Sequence, residues 1–163
     1  MTEISPVAPD DSTWLGQAVE LAVANVRDGG GPFGAVIVRD GILVATGQNR
    51  VTRDLDPTAH AEVTAIRHAC ASIGDFSLAG CTLYASCEPC PLCLTASLWA
   101  RLDRVVYAAD RHDAARGGFD DRAFYDLLGQ DRETWPTRIT NLQLPGSFTP
   151  FEAWLGNDER TRY

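Results

Sequence analysis

No lysine occurs in this chain: all 14 basic residues are arginine, against 22 acidic residues, and the formal net charge is −8. There is no basic run or arm, and most arginines have an acidic residue within a few positions. Polynucleotide binders draw much of their affinity from phosphate contacts made by a basic face. The balance here therefore disfavours a nucleic-acid substrate. No apolar run approaches the ~18 residues that a membrane span requires. The opening MTEISPVAPDDST lacks the basic and apolar regions of a secretory signal, which suggests a cytosolic, cytoplasmic protein. Internal repeats and low-complexity tracts are also missing. What is present is 163 residues with 45% apolar content, read as a single globular domain over residues 1–163.

The five cysteines are an odd number, and three of them form C-x-x-C-x-x-C at 87–93. Without an export signal, that pattern favours reduced thiols or a metal over disulfides. Cys70 and Cys81 lie in apolar patterns and read as packing residues. Cys90 and Cys93, taken with His60, offer two thiolates and one imidazole. Three ligands leave a tetrahedral zinc ion one open position for water, and water held there loses a proton near neutral pH. Glu62 follows His60 by two positions, an offset at which helical neighbours do not share a face. It is therefore better placed to reach that water than to be a further ligand. Two plainer readings compete. Cys87 could close a four-ligand structural zinc site, but a chain with this core needs no metal staple, and Glu62 would then have no role. Cys90 and Cys93 could form a redox pair, but the surrounding context for one is missing.

Along the chain, residues 1–11 read as a short mobile leader. Asp11 or Ser12 caps a helix with Leu15, Ala18, Val19, Ala22 and Val26 at helical spacing, which stops at Gly29-Gly30-Gly31-Pro32. Residues 29–34 spell G-x-G-x-x-G, but they follow a helix and open a strand, the reverse of the dinucleotide-binding context. Strands are expected at 35–39 and 42–45, joined by the hairpin signal Asp40-Gly41. A polar loop should follow to residue 55. A helix from Asp56-Pro57 to about Cys70 would carry His60 and Glu62 in its opening turns. Further strands are expected at 81–85, 104–109 and 138–144, with helices at 90–100 and 121–128. Phe151, Trp154 and Leu155 have helical spacing in the tail. Such alternation predicts an α/β fold, a three-layer α/β/α sandwich around a mixed five-stranded sheet.

The segments GGPFGAVIVRDG, DPTAHAEVTAIRHAC, LYASCEPCPLCL and GGFDD, with Asn49 and the aromatic residue of LWAR, carry a resemblance. H-x-E followed by P-C-x-x-C is the signature of zinc deaminases, with the Glu as proton carrier and not a ligand. The fuller set is similar to guanine deaminases of the cytidine-deaminase-like superfamily, closely so over residues 30–121. The resemblance implies hydrolysis of guanine to xanthine and ammonia, with one zinc ion per chain held by His60, Cys90 and Cys93. It implies that Glu62 carries the proton, that Asn49 and Asp121 bind the base edge, and that Asp121 relays protons. Phe33 and Trp99 would supply apolar or stacking surface. The tail, residues 145–163 ending in Tyr163, would cover the pocket, exchanged between the protomers of a homodimer. Other substrates for the same chemistry are guanosine, a cytosine-type base or an amino-triazine. A tRNA- or DNA-editing deaminase and a non-enzymatic zinc-stabilised module are the remaining alternatives.

Overall fold

The structure is a computed structural model that describes residues 11–163. Apart from Asp11, the leader expected over residues 1–11 lies outside the described residues. The chain divides into two compact units, the first ending at Tyr125 and the second spanning Asp126–Tyr163.

Among the described residues, four strands build the sheet of the first unit: β1 (Gly34–Arg39), β2 (Ile42–Gln48), β3 (Cys81–Cys87) and β4 (Arg104–Ala109), in the order β2-β1-β3-β4. β1 runs antiparallel to β2 and β3, whereas β3 and β4 are parallel. Parallel neighbours need a crossover, supplied here by α4 (Pro91–Trp99). The sheet is mixed, as expected, but it lacks the fifth strand: residues 138–144 form none. Alternation specifies a strand only where one face has something to bury against, and Ile139, Leu142 and Leu144 are all exposed. The β1–β2 hairpin turns through Asp40 and Gly41 with φ of 51° and 73°. Positive φ at both positions is the turn whose twist matches that of the strands.

Successive residues of β1 face opposite sides of the sheet, and both sides are covered. Val36 and Val38, with Tyr84, pack against Trp14, Leu15 and Leu21 of α1 (Asp11–Arg27). Ala35 and Ile37, with Leu83, pack against Ala61, Ala65 and Ala69 of α3 (Ala61–Ile73). This gives the three layers. The alanine stripe lets α3 lie close on β2, so close that a Cβ at Gly47 would overlap Ala61 O and Ala65 N. Asp11, buried at the start of α1, accepts hydrogen bonds from Tyr84 Oη (2.7 Å) and Arg104 Nη1 (2.9 Å), tying the helix to β3 and β4.

Where helices begin matters for the site. α3 starts at Ala61, four residues later than expected. Asp56 Oδ1 accepts from Thr58 N and Oγ1 at 2.8 and 2.7 Å, and this Asx turn competes with helix formation. α4 likewise begins at Pro91, one residue after the expected start. Within the segment read as a polar loop, β2 runs on to Gln48, and Val51–Asp54 forms the short α2. α5 (Arg111–Arg116) opens with a capping box between Asp110 and Asp113, and α6 (Asp121–Leu128) has the expected bounds. The second unit contains a 3₁₀ turn at Arg132–Thr134 and α7 (Thr149–Leu155), with Phe148 stacked on Phe151 at 5.4 Å. Among the described residues no helix is long and apolar enough to cross a membrane.

Candidate metal centre and active site

His60 and Cys90 are the N-cap residues of α3 and α4, both with extended backbone. Neither side chain caps its own helix. Cys93 lies one turn into α4 and is fully buried. The three donors converge. His60 Nδ1 is 3.4 Å from each sulfur, and Cys90 Sγ lies 3.7 Å from Cys93 Sγ. A tetrahedral zinc with ordinary bond lengths would separate its ligands by ~3.8 Å for sulfur–sulfur and ~3.6 Å for sulfur–nitrogen. The observed triangle is close to that size. Among the described residues, no fourth His, Cys, Asp or Glu donor joins the group. Cys87 turns away to Asp110 O at 3.6 Å, and burial pushes its thiol up to about 12. A fourth, closing ligand from Cys87 does not fit this geometry.

Electrostatics favour a soft cation here. The Cys93 thiol and the His60 imidazole hold Cys90 down to about 4. The same Cys90 sulfur raises Cys93, so the pair ionises one member at the expense of the other. His60 is raised by its hydrogen bond with Cys90. The N-terminal end of α4, where backbone N–H groups lack helical partners, adds partial positive charge beside both sulfurs. Glu62, in the first turn of α3, is 7% exposed, and burial pushes it up to about 7.

Two of the donors, His60 and Cys90, open onto a cavity of about 240 Å³ whose wall also includes Glu62, Asn49, Asp121 and Phe33. Asn49 Oδ1 accepts a hydrogen bond from Val51 N at 3.3 Å, which leaves its Nδ2 donors available. Asp121 is half-buried at the start of α6 and is raised chiefly by desolvation, then by the Cys90 charge. Trp99, an expected substrate residue, is not on this wall: it ends α4, 63% exposed with Arg101 over its ring. Tyr163 belongs to the second unit, where it lies edge-on to Trp154 at 6.3 Å.

Other residues of the site were not anticipated. Phe119 lines the cavity and packs edge-on to Phe33 at 4.7 Å. It sits inside the GGFDD segment, the one signal that could have drawn attention to it. Glu88 is also on the wall. Asn25, fully buried in α1, donates from Nδ2 to Gly31 O and Asn49 O, both at 2.8 Å. It thereby fixes two backbone segments of the wall from the opposite layer.

A family profile described as the cytidine and deoxycytidylate deaminase zinc-binding region matches residues 8–109. Guanine deaminase of Bacillus subtilis (strain 168) is 49% identical over 152 residues, 93% of this chain and 97% of that protein. Its X-ray structure aligns with a TM-score of 0.90, covering 93% of this chain and 98% of that one. The structure of a guanine deaminase from Nitrosomonas europaea is 35% identical, with a TM-score of 0.65 over 71% of this chain and 66% of that one. A tRNA-specific adenosine deaminase of Buchnera aphidicola is 34% identical over 117 residues, 72% of this chain and 78% of that protein. The profile spans Glu62 and the three donors that the fold brings together, His60, Cys90 and Cys93, and the chain belongs to the zinc-binding cytidine and deoxycytidylate deaminase family.

Proposed function

We propose that this protein hydrolyses guanine to xanthine and ammonia in the cytoplasm. The observation that carries the reading is a three-donor zinc-type group, two of whose members, His60 and Cys90, share one cavity wall with a buried carboxyl, an amide and a second carboxylate. Zinc held by His60 Nδ1 and the sulfurs of Cys90 and Cys93 would supply a Lewis acid that makes water nucleophilic near neutral pH. Glu62 takes a proton from the attacking water and gives it to the ring nitrogen next to the carbon bearing the amine. The oxygen adds to that carbon. The hydroxyl proton of the adduct then passes through Glu62 or Asp121 to the amine. The carbon–nitrogen bond breaks, ammonia leaves and the carbonyl of xanthine forms. Asp121 only accepts hydrogen bonds when ionised, which suits guanine N–H donors, while Asn49 Nδ2 donates to an acceptor on the base edge. Phe33 and Phe119 give the ring an apolar wall.

The reading extends to a homodimer in which residues 145–163 are exchanged, the tail of one protomer covering the active site of its partner. Exposed Phe151 and Tyr163 in that segment, and exposed Trp99 at the end of α4, support it as apolar surface suited to burial in an assembly. Ammonia release by the zinc-loaded protein from guanine, guanosine, cytosine, adenine and an amino-triazine is the direct test. We expect turnover of guanine above all others; zinc-loaded protein inactive on every free base would reject the reading. A tRNA stem-loop belongs in the same panel because of the Buchnera relative, although the net charge of −8 argues against it.

A further inference from the structure

Glu88 sits between Cys87 and Cys90 and lines the cavity, yet neither of its oxygens is left for a ligand. Arg111 occupies both. Its backbone N–H donates to Oε2 at 2.9 Å, its Nε to Oε2 at 3.1 Å, and its Nη2 to Oε1. The Glu88 side chain is only 12% exposed, so the carboxylate is shielded from most solvent competition, while Arg111 is 33% exposed. The same guanidinium lies over Tyr125, with Cζ 3.6 Å from the ring centre. Tyr125 Oη in turn donates to Pro89 O at 2.6 Å, back on the loop where the circuit started. Tyr125 is one turn along α6 from Asp121. A closed ring of contacts therefore joins the loop that presents Cys90 to the helix that presents Asp121, with Arg111 at its centre. α5 does not need this arrangement to form, because Asp110 and Asp113 already cap it.

We propose that Arg111 is a positioning residue which, by gripping Glu88 and Tyr125 together, sets the separation of Cys90 from Asp121 across the cavity. It thereby governs both the retention of zinc and the affinity for the base. The part concerning the base rests on the guanine reading; the part concerning zinc does not. An arginine is required because only its planar fork can bond a carboxylate in two places while stacking on an aromatic ring.

The test uses full-length, zinc-loaded protein carrying Arg111→Ala, Arg111→Lys, Tyr125→Phe or, as a control, Arg116→Ala, whose ion pair with Asp113 is exposed. Zinc release to a chromophoric chelator is followed alongside kcat and KM for guanine. Partners of this kind that orient metal ligands are worth ~10–100-fold in metal affinity or activity. We expect Arg111→Ala to release zinc about 10-fold faster and to raise KM by a similar factor. Arg111→Lys should recover little of either, Tyr125→Phe should give a smaller change of the same sign, and Arg116→Ala none. Wild-type zinc release in Arg111→Ala and Arg111→Lys overturns the proposal, whatever the enzyme acts on. So does faster release with an unchanged KM, which would separate the two roles joined here. If Arg111→Ala does not fold, Arg111→Lys and Tyr125→Phe decide by the same criteria. If the wild-type protein ignores guanine, the function reading fails and zinc release still decides this one.

Discussion

Glu62 follows the His60 donor by two positions, and the fold buries it in the first turn of α3, where desolvation pushes its carboxyl up to about 7. Replacing it with Gln keeps the shape and removes the titrating proton. Glu62→Gln should therefore bind zinc stoichiometrically and lose ~10²–10⁴-fold in kcat, the usual weight of a general acid–base group. Metal analysis beside single-turnover kinetics measures both, and near-normal turnover would remove Glu62 from the mechanism. The donors themselves were legible from spacing because a zinc site constrains residue type and number so tightly. Which cysteine stays out was decided by direction alone: Cys87 and Cys90 differ by three positions, yet Cys87 Sγ points to Asp110 O. Asn25 and Glu88 could not be found that way. A buried amide that braces a loop from another layer carries no local pattern, and its role exists only once α1 and β2 are packed.

Elements place the site as much as residues do, and the fit of α3 on β2 is the tightest of these placements. A methyl group at Gly47 would collide with Ala61 O and Ala65 N, which are backbone atoms and cannot rotate away. Gly47→Ala must push α3 off the sheet, and His60 and Glu62 stand at the end of that helix. We expect a loss of at least about 2 kcal/mol in urea unfolding, as for overpacked cores, together with weaker zinc retention. An unchanged midpoint and unchanged zinc release would show that α3 has room the structure does not display. The strand and helix periods of this unit were legible in the sequence because each element has a face to bury. Boundaries were less so. Asp56-Pro57 has the composition of a helix start, but the Asx turn through Thr58 delays the helix to Ala61, which leaves His60 at the cap. Residues 138–144 alternate as a strand does and yet form none, their apolar side chains exposed, so their local pattern had nothing to act on.

For the whole molecule, the question is whose active site a tail serves. The proposed exchange has a consequence that geometry within one chain cannot imitate. Take one chain truncated before residue 145, with Glu62 intact, and a second chain of full length carrying Glu62→Gln. Each homodimer is expected to be inactive, the first for want of a tail and the second for want of its proton carrier. In a mixed dimer with exchanged tails, the intact tail falls on the site that retains Glu62, and that site is complete. If each tail instead serves its own chain, the intact tail covers the site lacking Glu62 and the other site stays bare. Random reassociation of equal amounts makes half the dimers mixed, each with one working site in two, so exchange predicts about a quarter of wild-type turnover per chain. Unfolding, mixing and refolding the two chains with zinc, followed by ammonia release from guanine, measures the recovery. Activity no greater than the sum of the two separate preparations would mean that the tails are not exchanged, and the dimer proposed here would have to be redrawn with each site closed by its own chain.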